Sequence, residues 1–466
     1  MTTLSESGIS IANLRAELAG DVIGPEDAEY EHARKVFLSL VDRRPAVIVR
    51  PLDPDGVARV VSLARERGIE LAVRSGGHSS AGHGVCENGI VLDLSRMKAL
   101  EIDPGRRIAR AETGLTAGEV TNALAPHGLA VGLGDTGSVG LGGLTLGGGV
   151  GYLVRKHGLT IDDLLAAEIV TADGRLLRAD AEQHADLFWA LRGGGGNFGV
   201  ATRFDYRLQP VETVTGGMLI LPATPEIVAS FVEAAEAAPE ELSTIANVMT
   251  APPLSFIPAE YHGQLVILAM IVHAGPSEAG ERALAPFRAL AAPIADHVRP
   301  ISYPEIYPPE DEDYRPLAAA RTLFVDTIDR GVAETILDRL RASTAQMRAA
   351  QLRVLGGAMA RVPTEATAFA HRKSRILVNV AAIFATPEEA PVHESWATEF
   401  AVALRQADTG AYVNFLGDEG EERVRAAYPG RTWDRLVAVK RQYDPTNFFR
   451  LNQNIPPQQS AAQSGG

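Results

Sequence analysis

Residues 73–84 read VRSGGHSSAGHG, which sets two histidines, His78 and His83, in a stretch too rich in glycine and serine for a helix or a packed strand. Three residues further on stands Cys86, the single cysteine of the chain. Histidines in such a loop can ligate a metal, help hold a phosphate, carry a covalently attached group, or do no more than sit in a turn. A zinc site would group His78, His83 and Cys86. Zinc takes four fixed ligands, usually presented by a helix or a tight knuckle, and this glycine loop supplies neither the rigidity nor a fourth ligand. Cys86 reads as a small buried residue rather than a nucleophile. His83 by itself reads as a loop residue with an ordinary hydrogen bond, and residue type alone leaves His78 open.

Residues 132–151, GLGDTGSVGLGGLTLGGGVG, are half glycine. Such a run costs backbone entropy, so it must gain from close approach to another group or from positive φ angles. Phosphate held by backbone N–H groups is one such gain. The interspersed Val139, Leu141, Leu144 and Leu146 argue for burial and against a flexible linker. Within this run GLGDTG matches the G-x-G-x-x-G dinucleotide fingerprint, but that motif requires a helix directly after it in a βαβ unit. More glycines follow here, so the match reads as composition. A third stretch, LFWALRGGGGNFGV (187–200), is a short helix running into four glycines and Asn197. Three glycine-rich segments in one half of the chain suit one extended ligand lying along several loops, and a dinucleotide has that size.

The elements that must position these loops can be read around them. RPAVIVRP (44–51) is a strand, Asp53 can cap the next helix with Pro54 at its first position, and Gly68 ends it. ELAVR (70–74) is a strand that leads straight into the histidine loop, and GIVLDLS (89–95) is another. ALEIDPGRRIARAE makes two strands about an Asp-Pro-Gly turn, Thr116 and Glu119 form a capping box, and AAEIVTADGRLLRAD is a second hairpin. Beyond residue 215, Ala- and Glu-rich helices alternate with apolar strands such as GQLVILAMIVHAG and SRILVNVAAIFA, which predicts an antiparallel sheet covered by helices. YPEIYPPEDEDYRP (303–316) reads as a long surface loop. The mixture of βαβ-like units and hairpins predicts an α+β fold.

The totals agree. A chain of 466 residues exceeds one simple core, and two lobes are expected. With 46% hydrophobic and 22% charged residues it is an ordinary globular composition, and a net charge of −14 speaks against nucleic acid or an anionic membrane as partner. A lone cysteine excludes an internal disulfide. The stretch MTTLSESGISIANL lacks the pattern of a signal peptide and no apolar run is long enough for a membrane span, so a cytoplasmic protein is expected.

Four segments, VRSGGHS, GLGGLTLGGGVGYLVRKHGLTIDDLLAAEIVTADG, DLFWALRGGGGNFGV and YDPTNFFRLNQNIPP, occur in an order and spacing that resemble the berberine bridge enzyme-like branch of the vanillyl-alcohol oxidase flavoprotein superfamily. The resemblance covers the first 210 residues and the last fifty. It implies a two-lobed FAD-binding domain over 1–212 with its core at about 43–212, a substrate domain over 213–415, and a segment 416–466 that returns to the first domain; the polar composition of its tail, 458–466, reads as disordered.

In that family the histidine of R-S-G-G-H carries FAD through its 8α-methyl carbon, which maps onto His78. Many members add a cysteine in C-P-T-V-G. Here TGSVG places Thr136 at that position, so the resemblance implies one covalent bond and not two. Arg74, Ser75, Gly76, Gly77 and Ser79 are implied to cradle the pyrophosphate. Val139, Gly140, Gly142 and Gly143 are implied to run beside the isoalloxazine, with Gly147, Gly148 and Gly149 packing where side chains cannot fit. Ile169 and Val170 would line the adenine end through backbone contacts, and Asn452 and Asn454 would bring the C-terminal segment back to the flavin.

The chemistry so implied is transfer of a hydride to flavin N5 from a C–H next to oxygen or nitrogen of a small metabolite. Valine at the position of Val139 goes, in plant members, with reoxidation by O2 to hydrogen peroxide. Tyr412 and Asn414 match the family's Y-x-N-Y segment, with Phe415 in place of the second tyrosine, and Tyr152 is the other candidate for the proton-handling group. Two further readings stay open: an oxygen-inserting tailoring flavoprotein of polyketide biosynthesis, and a flavin-binding protein without catalysis.

Overall fold

The computed structural model describes residues 10–211, 213–307, 311 and 313–457. The tail expected to be disordered, residue 212 at the expected domain boundary and part of the expected surface loop lie outside the described residues.

Among the described residues the first lobe holds two larger sheets and a two-stranded one. In the smaller of the two larger sheets, Val47–Pro51 and Leu71–Arg74 flank Ile90–Asp93 and run parallel to it, and Gly20–Ile23 adds an antiparallel edge. The connecting helix Pro54–Arg67 begins where the sequence places it: Asp53 accepts from Gly56 N–H at 2.7 Å, Pro54 occupies the first position, and Gly68 ends the helix at φ 64°. Its Val57, Val60, Val61 and Ala64 are fully buried against Val47, Val49, Ile90 and Leu92. Because Leu71–Arg74 is an edge strand of this parallel unit, its carboxyl end delivers the histidine loop into the space between the two sheets.

The larger sheet of this lobe is antiparallel, in the order Leu100–Asp103, Ile108–Glu112, Val200–Arg207, Leu164–Val170, Leu176–Asp180. Both predicted hairpins are here, and the Thr116–Glu119 capping box opens the helix Ala117–Leu124. The glycine run differs from expectation in one respect. It contains a short helix, Leu141–Leu146, capped by Gly140. The strand before it, Leu129–Ala130, pairs antiparallel with Gln209–Pro210. A parallel crossover is therefore absent at this point, and GLGDTG is no dinucleotide fingerprint.

The second lobe is one eight-stranded sheet whose pairings are all antiparallel. Its central order is Thr213–Pro222, Leu265–His273, Leu242–Thr250, Met347–Val354, Ile376–Phe384, Leu317–Val325. Helices Pro225–Ala237, Ser277–Arg288, Arg330–Ala342 and Ala390–Ala403 cover one face, where Phe231, Phe287, Leu337 and Phe400 join a single core. Burial of each such side chain is worth roughly 1.5–3 kcal/mol. The period of two along a strand decides what is left for the other face: Ala350, Leu352 and Val354 enter that core, so Gln351 and Arg353 point the opposite way, toward the first lobe.

Two arginines lock the lobes together. Arg155 donates to the carbonyls of Ala235, Leu242 and Ala238 at 2.6, 3.1 and 2.9 Å, and the fully buried Arg372 grips Asp162 through two bonds of 2.8 Å. The chain then returns to the first lobe. Helix Arg431–Tyr443 sets Trp433, Leu436 and Val437 into the core that holds Leu187 and Trp189, and Ala411, Val413 and Leu416 already pack in that core. Among the described residues no helix is long and apolar enough to cross a membrane.

Candidate functional site

A cavity of about 510 Å³ runs from between the two sheets of the first lobe, past the histidine loop, to the uncovered face of the second-lobe sheet. Leu71, Val73, Leu94 and Val200 bound its inner end, and Ala320, Gln351, Arg353 and Asn379 its outer end. All three glycine-rich segments reach it.

The histidine loop is held from below. Arg74 is buried and donates to Asp93 at 2.9 Å and to the carbonyl of Ala33 at 2.6 Å. Burial pushes the Asp93 carboxyl up, but the charges of Arg74 and Arg50 outweigh it and the net shift is downward. Ser75 is also committed to the protein: its hydroxyl donates to the Thr113 carbonyl at 2.5 Å and accepts from Gly142 N–H at 3.2 Å. Gly76 and Gly140 meet backbone to backbone, so that a Cβ on either would collide with main-chain atoms of the other. Gly77, at φ 73°, makes the turn that follows. The loop thus shows the cavity its peptide groups, while Arg74 and Ser75 act underneath as supports.

His78 leaves this turn into the cavity. Its Nε2 lies 3.0 Å from Ser138 Oγ, and its ring stacks on Phe37 with centroids 4.4 Å apart. Ring orientation is therefore fixed from two sides. Ser79 Oγ accepts from His83 N–H at 3.3 Å, and both residues line the cavity. Burial lowers the His83 pKa to about 4, so its imidazole is neutral at neutral pH. Cys86 is in the core below, with Sγ directed to the Ile90 carbonyl at 3.4 Å and its pKa raised to about 11 by burial. It does not join the histidines.

Thr136, Val139, Gly140, Gly142 and Gly143 line the middle of the cavity as one wall. Gly149 lines it too, whereas Gly147 and Gly148 pack against Asn414 and Phe369 and serve the wall from behind. Tyr412 and Asn414 stand opposite. The Tyr412 hydroxyl accepts from Gly149 N–H at 3.0 Å and from Asn414 Nδ2 at 3.1 Å, and Asn414 Nδ2 also donates to the Leu144 carbonyl at 3.0 Å. Burial raises the Tyr412 pKa despite these donors, so the phenol keeps its proton at neutral pH.

Besides Gly147 and Gly148, four expected site residues do not line the cavity: Tyr152, Ile169, Val170 and Asn454. Tyr152 does not reach the cavity: it is buried among Leu153, Val211, Ile245 and Tyr303, because the chain turns away after Gly151 packs on the Gly134 backbone. Ile169 and Val170 are fully buried strand residues, and the neighbouring strand segment Gly199, Val200 and Ala201 forms the inner lining in their place.

The C-terminal return is fastened by a buried staple. Lys440, fully buried, donates to Asp444 Oδ2, to the Asn197 carbonyl and to the Phe449 carbonyl at 2.7, 2.7 and 2.8 Å. Asn197 itself donates to the Gly194 and Gln453 carbonyls and accepts from Ile455 N–H. Asn452 lines the cavity and donates to the Gly196 and Phe449 carbonyls. The Oδ1 atoms of Asn452 and Asn454 are buried with no hydrogen-bond partner among the described residues. Buried acceptors of this kind need a partner, and a ligand carrying ribose hydroxyls and phosphates can supply one. The glycine-rich middle wall and the waiting Asn452 acceptor beside the cavity fit FAD.

Sequence reasoning missed the outer wall. Arg353 donates to Gln351 Oε1 and to Asp135 Oδ2 at 2.6 and 2.7 Å, and its guanidinium lies over the Phe415 ring at 4.9 Å. Gln351 in turn donates to Asn247 Oδ1 at 3.1 Å across the sheet. Two polar residues at alternate positions of the otherwise apolar AAQLRVL were the available signal. Asp135 was hidden inside GLGDTG. A second cavity, of about 600 Å³, borders the same histidine loop and the Asp135–Thr136 segment from the other side.

Fold and site together define a flavoprotein oxidoreductase. Residues 45–180 match the family model of an FAD binding domain, and residues 411–456 that of berberine and berberine-like proteins. Over 462 residues the chain is 31% identical to (R)-6-hydroxynicotine oxidase of Paenarthrobacter nicotinovorans, which spans 95% of this chain and 98% of that one. The solved structure of 6-hydroxy-D-nicotine oxidase from Arthrobacter nicotinovorans matches with a TM-score of 0.85 at 28% identity, over 95% of this chain and 99% of that one. The Physcomitrella patens BBE-like 1 structure matches with a TM-score of 0.87 at 22% identity, over 97% and 100% of the two chains, a likeness of fold. The chain belongs to the berberine bridge enzyme-like family of FAD-linked oxidases.

Proposed function

We propose that this protein is an oxidase of a small alcohol or amine metabolite, with one FAD attached covalently through His78 and O2 as the final acceptor. The observation that carries the reading is the placement of His78, oriented by Ser138 and Phe37 in the wall of a cavity that all three glycine-rich segments line and whose outer end carries Gln351, Arg353 and Asn379. Bound there, FAD supplies the hydride acceptor for a C–H next to oxygen or nitrogen and, with O2, yields hydrogen peroxide.

The chain's own residues divide the remaining work. Gly76, Gly77, Ser79, Asn452 and the Gly199–Ala201 strand hold the dinucleotide, with Arg74 keeping the loop in shape. Val139, Gly140, Gly142 and Gly143 leave room for the ring. Tyr412 keeps its proton and, with Asn414, orients the substrate by hydrogen bonding. Thr136 offers no thiol, so the tether is single. The named activity of the relative on a hydroxynicotine supports an amine or heteroaromatic alcohol as the substrate class.

The test is direct. Acid-precipitated protein should keep the yellow colour in the pellet, and the tryptic peptide bearing His78 should gain the mass of one FAD. In His78→Ala the colour should move to the supernatant. Stoichiometric peroxide from a panel of alcohols and amines completes the assignment. A colourless protein even after addition of FAD would overturn the reading, and label from ¹⁸O2 in the organic product would replace the oxidase by an oxygen-inserting enzyme.

A further inference from the structure

Among the described residues that line the main cavity, Asp135 is the one carboxylate. The other ionisable groups on its walls are already committed or unsuited to taking a proton. Arg74 is paired with Asp93 and Arg353 is a permanent cation. Tyr412 accepts two hydrogen bonds and retains its proton. His78 is the proposed point of attachment, and His83 is desolvated far below its ordinary pKa.

The geometry of Asp135 suits the vacant task. Its Oδ2 accepts from Arg353 Nη2 at 2.7 Å, while Oδ1 has no hydrogen bond among the described residues, and a fifth of the side chain, 21%, is exposed. Arg353 is held in turn by Gln351 Oε1, the Val150 carbonyl and the Phe415 ring, so the carboxylate is clamped from across the lobe boundary with one oxygen left over. Asp135 precedes Val139 by one turn of chain on the ring-facing wall and borders both cavities.

We infer that Asp135 is the proton acceptor of the reaction, and that the substrate therefore presents an O–H or N–H on the carbon to be oxidised. This rests on the oxidase reading given above. As the C–H bond breaks and its hydride carries two electrons to the flavin, the O–H or N–H bond breaks and its proton passes to Oδ1, leaving C=O or C=N and a neutral Asp135. Arg353 is a positioning residue: it fixes the carboxylate from across the lobe boundary. Asp135 is reset when its proton is released through the second cavity, whose rim includes the exposed Tyr314.

The test uses Asp135→Asn in the flavin-loaded enzyme, since the amide keeps an acceptor for Arg353. Asp135→Glu serves as the second variant should the first bind no flavin. Sulfite, an anion that adds to the flavin ring, reports on the charge beside it without any substrate. Loss of the carboxylate should tighten sulfite binding about tenfold, and an unchanged dissociation constant would place Asp135 away from the ring and overturn the inference. Anaerobic flavin reduction by the best panel substrate should then slow about 100-fold or more and lose its acid limb in the pH profile, with activity partly restored in Asp135→Glu. Tighter sulfite binding with wild-type reduction at every pH would also overturn it. Should the yellow wild-type enzyme be reduced by no alcohol or amine, the oxidase reading fails, and the proton-acceptor role with it, whatever sulfite reports.

Discussion

On the first-lobe side of the cavity, Gly76 and Gly140 touch main chain to main chain, and the wall they form is made of peptide groups. On the second-lobe side, Gln351, Arg353 and Asn379 stand as side chains on a sheet whose stability comes from its opposite face. The two walls were therefore built under different constraints. The first must match a cofactor that does not vary, so it presents close-packed backbone that few substitutions leave intact. The second can exchange side chains without disturbing the core behind it, because alternate residues of one strand face opposite ways. A family built so can keep its cofactor and change its substrate.

Substitutions of similar size on the two walls test this contrast. Gly140→Ala should be the most damaging, since its Cβ has to occupy space held by Gly76 and Ser75. The expected outcome is soluble protein with a flavin-to-protein absorbance ratio at least about tenfold below wild type, or no folded protein. A normal ratio would show that the two glycine loops can separate at little cost and would weaken the contrast.

Lys440→Met comes next. It removes the cation that joins Asn197, Asp444 and Phe449 and leaves the Asp444 carboxylate buried without its partner. A loss of about 3–5 kcal/mol in denaturant unfolding is expected. Asn452 sits on the segment so fastened, so the flavin-to-protein absorbance ratio should fall along with stability.

The His83 imidazole makes the first-lobe wall sensitive to pH. Its folded pKa is depressed to about 4, below the ordinary value of 6.5. Between these values the unfolded chain binds more protons than the native one, so stability is full above about pH 6.5 and is lost as pH falls toward 4. His83→Gln should lose about 2 kcal/mol less than wild type between pH 7.5 and 4.5, measured by urea unfolding. An equal pH slope in the two proteins would show that His83 is solvated in the native state.

Asn379→Ala should have the smallest effect on folding. The buried Asn379 Oδ1 has no hydrogen-bond partner among the described residues, so its removal should change stability by no more than about 1 kcal/mol in either direction. The Michaelis constant for the best substrate should nevertheless rise several-fold, because a ligand is the partner that this atom lacks. A large destabilisation with an unchanged Michaelis constant would make Asn379 a structural residue and contradict the account of the outer wall.

Legibility in the sequence followed the same division. The helix Pro54–Arg67, the Thr116–Glu119 capping box and both first-lobe hairpins were readable because their signals lie within a few residues of one another. The histidine loop was readable for the same reason, as a strand ending in glycines. The short helix Leu141–Leu146 was not, since glycine at three of the preceding and internal positions carries low helix propensity, and the packing of Leu141, Leu144 and Leu146 into the core overrides it. Tyr152 was misplaced because one residue of difference in where a turn ends decides which side of the wall a side chain takes. Asp135 was passed over because its importance depends on Arg353, 218 residues away.

By itself the sequence determined where backbone could come close to a ligand. Glycine and the capping residues act through their own φ and ψ, and those are local properties. Which carboxylate faces the cavity, which arginine clamps it and which amides wait for a partner were decided only when the second-lobe sheet closed on the first lobe. Charge and hydrogen bonding at the outer wall depend on pairs formed across the lobe boundary, and no spacing along the chain encodes those distances.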